Sequence, residues 1–295
     1  MNGCKSLRLK KKYKWICLGI IISITCCFVM VNVWCSYSCL KITEVTFSND
    51  KIKAPITVVQ LTDIHDNMFG KNNKRLIKKV KINNPDIIVI TGDIINSEDC
   101  EINEMKSLIS GLADIAPAYI SLGNQEVESQ HYNRNDFIQC FSECGAIVLD
   151  KEYIDTVVKE QKIRIGGIYG YCLPERYNKN KDEVTFLRKF EETDRYKILL
   201  SHLPYAWTEY GFTKDYNIDL VFCGHVHGGQ IVVPFIGGLY DQETGVFPQK
   251  TRGAYEKDDT VVILSSGLGS KKELLPRFNN IPEIVVAKIY PNNKL

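Results

Sequence analysis

Seven side chains of types that bind metal ions follow short apolar segments of this sequence. They are two aspartates, one asparagine and four histidines: Asp63, His65, Asp93, Asn124, His202, His225 and His227. The whole chain of 295 residues has 5 histidines, so most of its imidazoles fall in this set. Mixed carboxylate, amide and imidazole ligands suit Mn²⁺, Fe or Zn²⁺ better than Mg²⁺ or Ca²⁺, which prefer oxygen ligands alone.

Glycine neighbours several of these residues, in Gly92-Asp93, Gly123-Asn124 and Gly224-His225. Glycine permits the sharp turns and close backbone approach that a ligand-bearing loop needs. The alternation of His225 and His227 would direct both imidazoles to one side of an extended segment, where each can serve a different ion.

The strands predicted before these residues explain how distant positions can meet. Asp63 and His65 follow a predicted strand at Ile56 to Leu61, Asp93 follows Asp86 to Thr91, and Asn124 follows Pro117 to Leu122. In the second half, His202 follows Lys197 to Leu200, and the His225 motif follows Leu220 to Cys223. Because the carboxyl ends of the strands of an open α/β sheet line one crevice, we expect all seven side chains to converge.

Helical and β patterns alternate along the first half and give way to a β-rich second half. Helices are predicted at Asn73 to Asn83, Ile102 to Ile115, Asn135 to Cys144 and Glu183 to Phe190. A hairpin is predicted at Ile154 to Val158 and Lys162 to Ile168, with further strands at Ile231 to Val233, Val261 to Ser265 and Glu283 to Ile289. Two β-rich halves with outer helices predict an α/β fold, a four-layer α/β/β/α sandwich in one domain.

The N-terminus predicts a membrane anchor. Six basic residues before position 15 precede an uncharged run from Trp15 to Cys35, about 21 residues or roughly 31 Å as a helix, which matches the hydrocarbon core. A cleaved signal peptide is the alternative, but its apolar region is about 7–15 residues and ends in a small-x-small site. The chain is therefore predicted to be a single-pass protein of the cell membrane. The basic flank predicts that the tail lies in the cytoplasm and that the part after the anchor lies outside.

These observations divide the chain into four parts. We expect a cytoplasmic basic tail at 1–14, a transmembrane anchor at 15–35, a juxtamembrane stalk at 36–54 and a catalytic domain at 55–295. Without the six tail residues, 31 basic residues face 35 acidic ones, a balance of −4. This balance does not suggest a basic groove, so no nucleic-acid partner is expected.

The ordered set of metal-type residues resembles the signature of the calcineurin-like metallophosphoesterases, over about residues 55 to 290. The segments that carry the resemblance are Asp63-x-His65, Gly92-Asp93, Gly123-Asn124, His202 and Gly224-His225-x-His227. Three further segments, CGHVHGGQI from Cys223, PFIGGLY from Pro234 and RFNNIPEIV from Arg277, resemble the bacterial membrane-associated or exported branch.

The resemblance implies a binuclear metal centre and a role for each residue. One ion would be held by Asp63, His65, Asp93 and His227, and the other by Asp93, Asn124, His202 and His225, with Asp93 shared between them. It further implies hydrolysis of phosphate esters by a hydroxide that both ions activate. Asn124 and Gln125 would contact the substrate and, with Asp93, take part in catalysis.

Gln125 departs from the family pattern, in which histidine usually follows Gly-Asn. A glutamine amide donates hydrogen bonds but cannot deliver a proton. Loss of general acid assistance costs about 10²–10⁴ in rate. The chain is therefore expected either to turn over slowly or to favour good leaving groups.

Three functions follow from these observations. The first is a phosphodiesterase or phosphomonoesterase whose substrate is a phosphorylated small molecule, a lipid or a cell-envelope precursor. The second is a metal-binding protein with weak or no catalysis that recognises a phosphorylated envelope component, which Gln125 motivates. The third is a nuclease, which the acidic balance disfavours.

Other charged and aromatic residues are assigned ordinary roles. His131 and Asp66 are interpreted as loop residues, although either is near enough to the motifs to contact the site. Charged residues of the C-terminal part, Arg252, Lys271, Lys272 and Arg277, are interpreted as solvated surface, and Tyr169 and Tyr171 as packing residues.

Overall fold

The computed structural model describes residues 2–96, 102–129, 132–170, 181–270 and 276–292. It begins with a long helix, α1 (Asn2–Ser38), whose last 26 residues, Tyr13–Ser38, include an 18-residue window with a mean hydropathy of 2.5. By length and composition this helix can cross a membrane. The folded domain follows it directly.

Two six-stranded sheets form the centre of that domain. The first has the strand order β1-β16-β2-β3-β4-β5 and the second β14-β15-β9-β8-β7-β6. The strands of the first sheet are β1 (Lys41–Asn49), β2 (Ile56–Leu61), β3 (Ile87–Thr91), β4 (Ala118–Ser121), β5 (Ile147–Leu149) and β16 (Glu283–Pro291). Those of the second are β6 (Glu152–Val158), β7 (Gln161–Ile168), β8 (Tyr196–Ser201), β9 (Leu220–Cys223), β14 (Gly253–Lys257) and β15 (Thr260–Leu264).

Along each strand, side chains alternate between the inner and the outer face of the sheet. The apolar side chains on the two inner faces pack against each other. Val58 and Val89 of the first sheet meet Ile165, Ile198 and Phe222 of the second in one buried cluster. Sheet-on-sheet burial of this kind is the main source of stability for a sandwich.

Helices cover both outer faces. On the first sheet lie α2 (Lys74–Lys81), α3 (Ile102–Ala113), the short α4 (Asn124–Val127) and α5 (Arg134–Glu143), and on the second α6 (Lys181–Glu191), α7 (Tyr205–Thr208) and α8 (Phe212–Asp215). Leu76 and Phe137 belong to the outer core of the first sheet, and Phe190 and Trp207 to that of the second. The predicted four-layer α/β/β/α sandwich is confirmed.

Two small antiparallel pairs extend beyond the second sheet between β9 and β14. They are β10 (Val232–Val233) with β11 (Gly237–Gly238), and β12 (Tyr240–Asp241) with β13 (Gly245–Val246). The predicted strand at Ile231 to Val233 is therefore shorter than expected, and it pairs locally instead of joining either large sheet.

The segment predicted as a stalk differs from that expectation. Lys41–Asn49 forms β1, which pairs in parallel with β16 from Lys41↔Glu283 to Asn49↔Pro291 and forms the edge of the first sheet. The ordered domain thus begins within three residues of the end of α1. A nine-residue strand at this position fixes the helix to the domain instead of leaving it on a flexible tether.

Candidate metal centre

Parallel strands in both sheets bring the seven metal-type residues to one end of the sandwich. Strands β2, β3 and β4 pair in parallel in the first sheet, and β8 and β9 in the second. Each candidate residue follows the carboxyl end of one of these strands within seven positions. The seven side chains therefore converge at this edge of the sandwich, as the sequence predicts.

The candidate ligands form two neighbouring groups. Ligand-type atoms of Asp63, His65 and His227 lie within 4.8 Å of one another, and so do those of Asp93, His202 and His225. We call these groups the first and second metal groups.

Asp93 lies between the two groups. Its Oδ2 is 3.5 Å from His65 Nε2 in the first group, and its Oδ1 is 3.4 Å from His202 Nε2 in the second. One carboxylate that presents an oxygen to each side is the arrangement a shared ligand requires.

Asn124 completes the second metal group. Its Oδ1 is 3.0 Å from His202 Nε2 and 3.0 Å from His225 Nδ1. The two imidazole nitrogens are themselves 3.3 Å apart. Three ligand-type atoms from three segments therefore surround one small volume.

Hydrogen bonds to neighbouring oxygen atoms fix the orientation of two imidazoles. His202 Nδ1 donates to the carbonyl oxygen of Thr91 at 2.7 Å, which leaves Nε2 facing Asp93. His65 Nδ1 donates to Asn96 Oδ1 at 3.0 Å, with the same consequence for its Nε2. Metal-binding histidines characteristically donate their second nitrogen in this way.

Two buried imidazole nitrogens have no hydrogen-bond partner among the described residues, His65 Nε2 and His227 Nδ1. Both residues belong to the first metal group, and their rings are 4.9 Å apart. Burying polar atoms without a partner costs free energy, which a bound cation would recover. The residues present thus fit a metal ion.

The His225 to His227 segment is not extended as predicted. His225 and His227 have φ angles of 75° and 49°, and the chain turns between them. The two imidazoles reach different metal groups because of this turn and not because of β alternation. Asp63, His65 and Asp93 also have positive φ, between 49° and 51°. Such strained backbone is concentrated at functional sites.

Glycine is required where the ligand loops cross. A Cβ on Gly123 would lie 2.3 Å from Asp93 Oδ1, and one on Gly224 would lie 2.6 Å from Asp63 Oδ2. A larger residue at either position would displace a candidate ligand carboxylate.

Burial and mutual charge shift the pKa values of the groups in the metal-free chain. Burial raises the pKa of Asp63 to about 7. Burial, the largest single influence, opposes ionisation of His202 as well, but the interactions with Asp93, Asp63 and the Thr91 carbonyl together outweigh it and raise the pKa of His202 to about 9. Burial lowers the pKa of His65 and of His225 to about 4, so both are neutral and able to bind a cation at neutral pH.

The cleft above these groups is lined mainly by polar side chains. Besides His65, Asp93, Asn124, His225, Val226 and His227, it is lined by Gln125, Glu128, Gln230, Tyr240, Asp241 and Gln242. No lysine or arginine contributes to this lining within the described residues. Among these lining residues, none brings a positive charge to a bound anion.

Glu126 was not singled out from the sequence, although it supports the centre. Its buried carboxylate accepts hydrogen bonds from the backbone N–H groups of Gly123 at 2.8 Å, Asp93 at 3.0 Å and Ile94 at 2.7 Å. It thereby ties together the loops that carry Asn124 and Asp93. The signal that was available is a glutamate three residues after Gly123, the spacing of a helix-capping carboxylate.

Arg277 was expected at the solvated surface, but it is fully buried. Its guanidinium donates to the carbonyl oxygens of Ser266 at 2.8 Å and Gly269 at 2.7 Å. The same loop approaches Asp63, since the N–H of Gly269 donates to the Asp63 carbonyl at 2.6 Å. Arg277 therefore supports the backbone beside the first metal group and does not face a substrate.

The remaining assignments have mixed outcomes. Tyr169 is buried and its ring is stacked 6.4 Å from that of His202, as expected of a packing residue. Asp66 accepts a hydrogen bond from the backbone N–H of Asn96, the partner of His65. His131, Tyr171, Lys271 and Lys272 lie outside the described residues, and Arg252 is half-buried away from the cleft.

Comparisons with known proteins show the family of this chain. Residues 56–229 match the family described as calcineurin-like phosphoesterase. An uncharacterised metallophosphoesterase of Campylobacter jejuni is 28% identical over 75% of this chain and 59% of its own length, so the match leaves part of that relative uncovered. The metallophosphoesterase YkuE of Bacillus subtilis is 29% identical over 80% of this chain and 79% of its own length.

Two further similarities concern proteins with named activities. The UDP-2,3-diacylglucosamine pyrophosphatase LpxG of Chlamydia muridarum is 23% identical over 88% of this chain and 93% of its own length. The crystal structure of a phosphopantetheinyl hydrolase from Mycobacterium tuberculosis covers 83% of this chain and 99% of its own, with 12% identity and a TM-score of 0.49.

Proposed function

Because the chain belongs to the calcineurin-like phosphoesterase family, we propose that it hydrolyses phosphate esters with two divalent metal ions held by the two metal groups. Asp63, His65 and His227 would hold one ion, His202, His225 and Asn124 the other, and Asp93 both. The observation that carries the proposal is the position of Asp93, with one oxygen toward each group.

The bound ions would supply a hydroxide at neutral pH and would neutralise the phosphoryl oxygens. Two divalent cations outweigh the two carboxylates of the centre, Asp63 and Asp93, so the floor of the cleft would attract a phosphate. The chain itself supplies the fixed geometry of the ligands and the amides of Asn124 and Gln125 beside them. Mn, Fe and Zn suit this donor set.

The anchor and the site together suggest where the substrate is found. Helix α1 would hold the protein in the cell membrane, with the basic N-terminus in the cytoplasm and the catalytic domain outside. LpxG, a relative, is named for a substrate with two acyl groups. We propose a substrate of the same general kind, a phosphate ester of a lipid or of a cell-envelope precursor.

A second function, metal-dependent recognition of a phosphorylated component without efficient turnover, is favoured by one observation. Gln125 lines the cleft beside Asn124, and its amide cannot donate a proton to a leaving group. A chain that binds two metal ions and a phosphate ester but does not cleave it would support this function over the first.

Metal analysis combined with a substrate panel tests the proposal. The full chain, purified in detergent, is expected to bind two divalent ions and to hydrolyse at least one of an aryl phosphodiester, an aryl phosphomonoester and a pyrophosphate. Asp93→Asn is expected to reduce both metal content and turnover, the latter by about 10³-fold, since transition-state charge stabilisation is lost.

Asp114→Asn is the matched control, because Asp114 is an exposed aspartate just beyond α3. It is expected to retain full metal content and turnover. Equal metal content in Asp93→Asn and the parent chain would contradict the proposed centre.

A further inference from the structure

The hairpin formed by β10 and β11, residues 231–239, exposes a large apolar tip. Phe235 is 109% exposed and Ile236 is 65% exposed. Phe235 also has a φ of 66°, a backbone conformation that bulky residues rarely adopt. An aromatic ring held fully in solvent by strained backbone suggests a contact that an isolated domain does not provide.

The base of this hairpin is fixed against helix α1. Val232 N donates to the carbonyl oxygen of Phe278 at 3.0 Å, and Asn279 Nδ2 donates to the carbonyl oxygen of Val232 at 2.9 Å. Phe278 in turn packs edge-on against Phe28 of α1, with ring centroids 6.5 Å apart. The N–H of Asn279 also donates to Asn32 Oδ1. Helix and hairpin therefore share one support.

These contacts set the depth of the hairpin relative to the helix. Phe28 lies ten residues before the last residue of α1, about 15 Å along its axis. It belongs to the apolar stretch Tyr13–Ser38, which the proposed anchor places in the bilayer. Trp34, 64% exposed, lies between this level and the domain, as an interfacial aromatic residue would. An anchor embedded to this level would hold the hairpin at the surface of the membrane.

The same hairpin forms part of the cleft. Gln230 precedes it and Tyr240 follows it, and both line the cleft. The N–H of Leu239 donates to the carbonyl oxygens of Gly229 at 3.1 Å and Ile231 at 2.8 Å, which closes the loop at its base. The polar wall of the site and the apolar tip are thus two ends of one short element.

We propose that Phe235 and Ile236 insert into the outer leaflet and hold the cleft at the level of the lipid head groups. The exposed tip would then be covered by the lipid bilayer. The same apolar phase would surround helix α1 at the level where Phe28 packs against Phe278. The substrate would be a phosphate ester carried by a membrane lipid, which reaches the cleft without leaving the bilayer. Only this last step rests on the proposed hydrolysis; the insertion does not.

Fluorescence quenching tests the insertion. The full chain with Phe235→Trp is reconstituted in vesicles of phosphatidylethanolamine and phosphatidylglycerol, with or without brominated acyl chains, and the signal of the parent chain is subtracted. Bromines near the head-group boundary are expected to quench the added tryptophan, since interfacial elements lie about 5–10 Å deep. The control is Val157→Trp on β6, whose native side chain is 61% exposed.

Unquenched Phe235→Trp, or equal quenching of both tryptophans, would overturn the insertion, as would a tip found cross-linked to a second copy of the chain. An activity measurement then tests the substrate class. Phe235→Ser with Ile236→Ser is expected to reduce turnover of a vesicle-embedded diacyl phosphate ester by about tenfold, through loss of apolar anchoring area.

Turnover of a soluble short-chain analogue is expected to be unchanged in this double variant. Equal losses on both substrates would contradict the lipid-borne substrate. A parent chain without activity on either substrate would contradict the proposed function, whereas quenching of Phe235→Trp would still establish the insertion.

Discussion

The floor of the cleft is held by hydrogen bonds from the backbone, whereas its rim is formed by side chains of α4, β12 and neighbouring loops. On the floor, Asp93 accepts from the N–H of Gln125 at 2.9 Å, and Asp63 accepts from the N–H of His225 at 3.0 Å. The rim consists of Gln125, Glu128, Gln230, Tyr240, Asp241 and Gln242. The candidate ligands of the floor are thus held by the backbone, whereas the rim presents polar side chains to the cleft.

This difference separates two contributions to activity. A preorganised floor supplies electrostatic stabilisation without reorganisation during the reaction. The rim would supply proton transfer and substrate choice, and in this chain it presents amides and carboxylates instead of an imidazole. Changes to the rim should therefore alter which substrates react, whereas changes beneath the floor should alter metal binding.

Gln125→His gives the largest expected effect on the rim. An imidazole beside Asn124 can donate a proton to the leaving group, so turnover of an alkyl phosphate ester is expected to rise by about 10²-fold. The rise should be much smaller for a nitrophenyl ester, whose leaving group needs no proton. Steady-state kinetics with the two esters measures the difference.

Gln242→His is the control for this substitution, because it places an imidazole on the same cleft from the turn between β12 and β13 instead of from α4. It is expected to leave the ratio of the two rates unchanged. A similar increase with both esters in Gln125→His would show that proton donation is not what the rim lacks.

Glu126→Gln changes the support beneath the floor. The amide can no longer accept with both of its terminal atoms from the N–H groups of Gly123, Asp93 and Ile94. Loss of such outer contacts lowers metal affinity by about 10–100-fold. Titration with a competing chelator measures this loss, and it should exceed any change in the KM for a soluble substrate.

Glu143→Gln, at the exposed end of α5, is the matched control and should bind metal as the parent does. Unchanged affinity in Glu126→Gln would mean that the Asp93 and Asn124 loops keep their positions without this carboxylate.

The floor was largely predictable from the sequence, because each ligand follows an apolar strand and parallel strands end at one edge. That rule alone predicts that Asp63, Asp93 and Asn124 lie together, without any information on which distant strands pair. The turn at His225 was not predictable in the same way, since a His-x-His spacing suits an extended strand equally well.

Other features depend on partners far away in the chain. Strand β1 pairs with β16, about 240 positions later, and only partly buried apolar residues, Val45 and Phe47, pack it against the core. Arg277 is buried because carbonyl groups of Ser266 and Gly269 happen to surround it, and a single sequence shows only its charge. Non-local contacts of both kinds are set by the completed fold.

The last expected effect is a pH dependence of metal binding at the floor. In the metal-free chain the pKa of His202 is raised to about 9, because the interactions with Asp93, Asp63 and the Thr91 carbonyl together outweigh burial, so this imidazole is protonated at neutral pH. Binding an ion at the second metal group requires the neutral imidazole and must release that proton. Affinity should therefore increase with pH, by about tenfold per unit for one released proton, up to about pH 9. Burial raises the pKa of Asp63 to about 7, so metal binding releases a second proton at lower pH.

Calorimetry in buffers of different ionisation enthalpy counts these protons. Affinity that is flat or falls between pH 7 and the pKa of His202 would show that the floor is not preorganised around a protonated His202.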